Sequence, residues 1–201
     1  MKPVEALQLE GWRAALELGF TANAERTWLS RRRHSGPLVV QRSFFPEDAR
    51  LCQVVIVHPP GGIAGGDELS LDISAGAHAL AQLTTPGAGK WYRGFGREAH
   101  QALRISVEDG ALCEWLPQEN IVFDGALAHM SLDVEVARNA VFCGWDFTCL
   151  GRPSSGDAFR SGTVRQRTTI NQGGKAVFRE QAVIGADDVV RAAPSALGGN
   201  C

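Results

Sequence analysis

The chain has 201 residues, 44% of them hydrophobic, and its 20 Lys and Arg against 22 Asp and Glu leave a formal net charge of −2. That balance excludes a disordered charged tail and a nucleic-acid binder working by bulk charge, and the length excludes a disulfide-stapled mini-protein. A single domain of this size buries roughly 70% of its unfolded surface and holds a core without metal or disulfide.

The 23 Gly and 9 Pro point to many tight turns between short strands, since both residues are depleted from helix interiors. Acidic Glu5, Glu10 and Glu17 lie among the first twenty residues, which argues against a signal peptide, and no apolar run reaches the roughly 18 residues of a spanning helix. The chain therefore reads as cytoplasmic, with neither membrane nor nucleic acid among its partners.

Taken in order, residues 12–18, 27–32 and 38–42 are predicted strands. Residues 51–57 (LCQVVIV) are almost continuously apolar and β-branched, which suits a strand covered on both faces. Over residues 67–74, Leu69, Leu71 and Ile73 oppose Glu68, Ser70, Asp72 and Ser74, the period of a half-buried strand. Residues 77–83 follow, then Leu103, Ile105 and Val107 against Arg104, Ser106 and Glu108. Residues 111–116 come next. Leu132, Val134 and Val136 then oppose Ser131, Asp133 and Glu135, and alternation is weaker over residues 164–170 before a final strand at 175–183. Turn clusters at 46–48, 59–66, 108–110 and 172–174 separate these elements, and residues 151–162 have room for a short helical turn. The fold class is all-β, with many short strands and little helix in one domain over residues 1–201. No repeat at a fixed period is visible, which disfavours a propeller or an ordinary solenoid.

Cys52, Cys113, Cys143, Cys149 and Cys201 are odd in number and far apart, so buried inert thiols fit them better than a zinc site. The loop PGAGKW, residues 86–91, imitates a phosphate loop, but Thr84 stands where a Walker A loop has its first Gly and Trp91 where it has Ser or Thr. GFGREA, residues 94–99, matches a dinucleotide fingerprint formally, yet KWYR precedes it rather than a buried strand.

HPPGGIAGGDE, residues 58–68, sets His58 before two glycine pairs and the acids Asp67 and Glu68. These side chains suit a borderline divalent ion such as nickel or zinc. The plainer reading is a proline stop followed by glycine turns. In EWLPQENIVFDGA, residues 114–126, Trp115 and Phe123 are expected in the core, a turn at Asp124 and Gly125, and Glu119 with Asp124 as paired carboxylates available for acid–base work.

In order and wording, HPPGGIAGGDEL, TTPGAGKWYR, EWLPQENIVFDGA and LGRPSSGDAF resemble the successive signatures of the urease accessory protein UreD family, called UreH in some bacteria. Arg26, GPLVVQR and FFP upstream fit as well, and the resemblance covers residues 12–197. It implies a helicoidal stack of short strands and a non-enzymatic maturation factor. Such a factor binds UreF, which recruits the GTPase UreG, and docks on apo-urease so that nickel reaches the active site, by a proposed polar internal tunnel. It implies no tightly bound cofactor, nickel only in transit, and GTP only through UreG. On that reading His58, Asp67, Glu68 and Asp146 are nickel-transit groups, because nitrogen and oxygen ligands hand an ion on where a thiolate cage traps it. Thr84, Thr85, Lys90, Tyr92, Arg93, Trp115, Glu119, Asp124 and Arg152 belong to the motif loops, with Lys90, Tyr92 and Arg93 as packing anchors.

Two departures stand out. Asp157 occupies a place where the family pattern has Glu, and ALGG at residues 196–199 resembles the start of a segment that continues in the family, so the chain is expected to be shortened at its C-terminal end. The competing expectation is a cytosolic enzyme on a β scaffold using Glu119 and Asp124.

Overall fold

A computed structural model of the chain describes residues 11–191 and 193. Glu5, Glu10, Cys201 and the ALGG segment lie outside the described residues.

The strands are β1 (Arg13–Ala22), β2 (Thr27–Ser35), β3 (Val39–Val40), β4 (Leu51–Val57), β5 (Glu68–Ala75), β6 (Leu80–Thr84), β7 (Gly89–Trp91) and β8 (Ala99–Val107). They continue as β9 (Leu112–Leu116), β10 (Asn120–Val122), β11 (Ala126–Val136), β12 (Val141–Gly144), β13 (Thr148–Arg152), β14 (Asp157–Ala158), β15 (Gly162–Gln172) and β16 (Lys175–Gly185). Two short 3-10 turns, Pro153–Ser155 and Val189–Arg191, are the helical elements among the described residues. The first falls inside the stretch expected to hold a helical turn.

These strands form a β-solenoid-like stack. Each coil contributes one strand to each of three sheets: β5, β6 and β7 make one coil, β8, β9 and β10 the next, and β11, β12 and β13 the third. Every strand runs parallel to its counterpart one coil away, as in β5 with β8, β6 with β9 and β7 with β10. Parallel neighbours need a crossover of about a dozen residues or more. Here the other two strands of the coil supply it, so no helix is required. Antiparallel hairpins, β1 with β2 and β15 with β16, form the two ends of the seven-stranded sheet.

The coils differ in length. Glu68 stands opposite His100, Ala99 opposite Ala128 and Ala126 opposite Gly162. Stacking therefore repeats in space without a fixed period in the sequence.

Alternation builds the core. Leu18, Ile73, Ile105 and Val134 stand side by side across β1, β5, β8 and β11, all buried. Val54, Leu83 and Trp115 form the facing row, and Trp91, Val122 and Leu150 form the third wall. Each such side chain contributes about 1.5–3 kcal/mol by leaving water.

Several expectations need correction. In β4 only Cys52, Val54 and Ile56 are fully buried, while the opposite face is half-covered. The strand expected over residues 38–42 shortens to β3, and that expected over 77–83 begins at Leu80, because Ala77 is held in a turn by Glu108 Oε2 (3.0 Å) and His78 takes φ 62°. Phe123 is half-buried rather than in the core. Cys52 and Cys113 are buried, and burial pushes the Cys113 thiol up to about 12, but Cys143 is exposed at the edge strand β12.

Candidate functional site

A cavity of about 550 Å³ runs along the inner face of the seven-stranded sheet, from the ends of β3 and β4 to β16. Leu69, Leu71, Leu103 and Met130 line it from the sheet, and Trp115 and the loop from Thr85 to Lys90 close it opposite. Its lining is mixed, and its polar residues include His58, Lys90, Gln101, Asn120, Asp146, Thr148 and Gln166.

His58 enters it because β4 ends there, with the Gly61 N–H donating to the His58 carbonyl (2.9 Å) to turn the chain away. Its Nε2 is buried and has no hydrogen-bond partner. Burial lowers the pKa of the ring, with the negative charge of Asp67 acting in the opposite sense. A neutral imidazole is the form that coordinates a metal ion.

On another wall the short parallel strands β7, β10 and β13 align Gly89, Asn120 and Thr148. The buried Trp91 Nε1–H donates to Asn120 Oδ1 (3.0 Å), and Asn120 Nδ2 donates to Asp146 Oδ1 (2.9 Å). Gly89 is required at this point: a Cβ would lie 2.6 Å from Asn120 Oδ1. Gln166 Nε2 donates to Thr148 Oγ1 (2.7 Å) alongside. Asp146 is reached by solvent, yet it sits in a concave wall, and the surrounding protein raises its pKa while the Asn120 hydrogen bond acts against the rise.

The other two expected transit groups do not line the cavity. Asp67 is 3% exposed, and its two oxygens accept the backbone N–H groups of Trp12 (2.7 Å) and Ala64 (2.8 Å). That geometry staples the glycine loop to the entry of β1. Glu68 is exposed and pairs with Arg13 at 3.6 Å.

The motif loops serve mainly to join coils. Thr84 Oγ1 donates to the Leu116 carbonyl (2.7 Å), and Thr85 Oγ1 accepts the Gln118 N–H (3.0 Å). The Glu119 carbonyl accepts the Gly89 N–H (2.9 Å). Lys90 and Trp115 line the cavity. Where β7, β10 and β13 end, Tyr92 stacks on Phe123 (centroids 5.3 Å apart) and the Arg152 guanidinium lies 5.0 Å from the Phe123 ring while pairing with Asp157. Tyr92 thus packs on Phe123 at the end of these strands. Arg93 donates to Asp124 Oδ2 (2.6 Å), and Asp124 Oδ1 accepts from Ser161 Oγ and from the Arg160 and Ser161 N–H groups. The Ser161 hydroxyl, then the two backbone donors and Arg93, hold this carboxyl below the usual carboxylate range. Asp124 is therefore a structural anion at neutral pH, and its geometry gives no support to acid–base work with Glu119.

Sequence reasoning missed Asn120, Thr148 and Gln166 as cavity residues. For Asn120 and Thr148, strands of three to five residues show too little alternation to reveal which side chains point inward; Gln166 lies on the longer β15, whose polar residues fall on both faces.

A family model described as "UreD urease accessory protein" matches residues 13–201. The chain is 47% identical to a urease accessory protein UreD of Azoarcus sp. (strain BH72), over 94% of this chain and 66% of that one. Likeness to the proteins of the same name from Methylobacillus flagellatus and Dechloromonas aromatica is 45% and 44%, over 89% and 94% of this chain. The chain spans 63–66% of the length of these three curated relatives.

Proposed function

The chain belongs to the UreD urease accessory protein family, and on that premise we propose that it is a non-catalytic urease maturation factor whose cavity passes nickel toward apo-urease. UreF and the GTPase UreG complete the assembly, in the cytoplasm. GTP enters through UreG, since the PGAGKW loop of this chain lacks the residues of a phosphate loop and rims the cavity instead.

The observation that carries this reading is the unpartnered, buried Nε2 of His58 in a cavity that also holds the Asp146 carboxyl. Among the described residues no cysteine lines the cavity, so the donors there are nitrogen and oxygen atoms from which a borderline ion exchanges readily. Asp67 contributes through its charge, which acts on the His58 ring. His58 takes the ion on its free nitrogen, and Asp146, oriented by Asn120, receives it.

The test is urease activation at limiting nickel, with UreF binding measured in parallel. His58→Ala and the pair His58→Ala with Asp146→Ala should lower activation several-fold while the UreF complex still forms. Full activation by the double variant would overturn the route. Catalytic turnover by the isolated chain would overturn the non-catalytic assignment.

A further inference from the structure

β8 and β11 pair in parallel with His129 directly opposite His100. Both imidazoles lie half-buried, their centroids 5.0 Å apart and their planes tilted by 52°. Glu98, in the turn that leads into β8, places Oε2 3.5 Å from His100 Nε2. One ligand atom from each of the three side chains lies within 4.8 Å of the others. They are on the outward face of the sheet, since Gln101 and Met130, the next residues along each strand, line the cavity on the other side.

Two imidazole nitrogens and one carboxylate oxygen match the preference of a borderline first-row divalent ion, which holds nitrogen and oxygen at about 2.0–2.2 Å. Ligands at that radius about a tetrahedral ion stand about 3.3–3.6 Å apart, so the Glu98 and His100 atoms already have that spacing and the remaining separations, within 4.8 Å, have to close by at most about 1.5 Å. The strand ladder fixes the backbone spacing of the two histidines, so side-chain rotation alone brings their nitrogens to an ion. A fourth group opposes binding: Arg165 Nε is 3.9 Å from Glu98 Oε1. That exposed pair is weak, and the long Arg side chain swings out at small cost.

We infer that Glu98, His100 and His129 form an exchangeable site for a divalent ion of the nickel or zinc class, on the outer face of the sheet and separate from the cavity. Three protein ligands leave coordination positions open to water or to a group on another molecule. The inference does not rest on the cavity route.

Calorimetric titration of the full chain with Ni2+ and with Zn2+ tests it. The double variant His100→Ala, His129→Ala should lose one binding equivalent, and Glu98→Gln should weaken that equivalent at least tenfold. His58→Ala should leave it intact, so failure of the cavity route and failure of this site are distinguishable. In the unaltered chain, sub-stoichiometric Ni2+ should broaden the imidazole NMR resonances of His100 and His129 ahead of the exposed His34 and His78. Equal stoichiometry and affinity in the double variant, or broadening of His34 and His78 first, would overturn the site.

Discussion

Asp67→Ala separates two roles that the sequence leaves tied together, ion ligand and loop staple. In the folded chain both carboxylate oxygens accept backbone N–H groups, from Trp12 at 2.7 Å and from Ala64 at 2.8 Å, and the residue is 3% exposed. A hydrogen bond to a charged group contributes about 1.5–3 kcal/mol, so losing two gives an upper range of about 3–6 kcal/mol. Trp12 and Ala64 are themselves exposed, and water reaching their N–H groups reduces the net loss to about 2–4 kcal/mol. For a domain of this size that corresponds to a melting temperature lowered by roughly 10 °C. Asp67→Asn keeps one acceptor oxygen and should fall near the midpoint. Thermal and urea unfolding followed by circular dichroism measures both. If Asp67→Ala melts like the parent chain while its nickel affinity drops, the carboxylate is a ligand and the staple account is wrong.

Three further outcomes follow from burial and charge. The raised pKa of Asp146 means that its folded form favours the neutral acid, so its contribution to stability is present below the unfolded value near 3.8 and is lost as pH rises through the folded value. Asp146→Asn should therefore raise the melting temperature at pH 7 and lose that advantage near pH 4, while impairing nickel transfer; an unchanged difference across this range refutes the assignment. The lowered pKa of His58 has the opposite consequence, stability complete above its unfolded value near 6.5 and lost as pH falls through the folded one, so His58→Gln should flatten the acid side of the stability profile. Leu83→Ala empties a fully buried position between Val54 and Trp115 and should cost about 2–5 kcal/mol in urea unfolding.

The long strands were legible because one face of each is apolar. Leu69, Leu71 and Ile73 announce β5, and Leu132, Val134 and Val136 announce the second half of β11. The third wall was not, since β7 and β10 have three residues each, and Trp91 and Asn120 are read from the sequence as parts of motif loops. The same shortness hid Asn120 and Thr148, while Gln166 was hidden by the polar residues on both faces of β15; the three meet only when the coils stack. His58 and Asp146 were found as ligand types, and the stack brings both to one cavity. Asp67 and Glu68 looked equivalent to them by residue type. The difference lies in direction, since Asp67 turns back onto backbone donors and Glu68 falls on the outward face of β5.

That dependence on direction links the two candidate ion sites. Along β8, His100 faces out and Gln101 faces the cavity; along β11, His129 faces out and Met130 faces in. A strand has a side-chain period of two, so slipping either strand by one residue would exchange its ligand for its cavity-lining neighbour. Register here is fixed by the buried pairs further along the two strands, Leu103 beside Leu132 and Ile105 beside Val134. The apolar core therefore sets the geometry of both faces, and a core substitution that loosens the pairing of β8 with β11 should disturb the outer imidazole pair and the inner wall together, even though it touches no ligand.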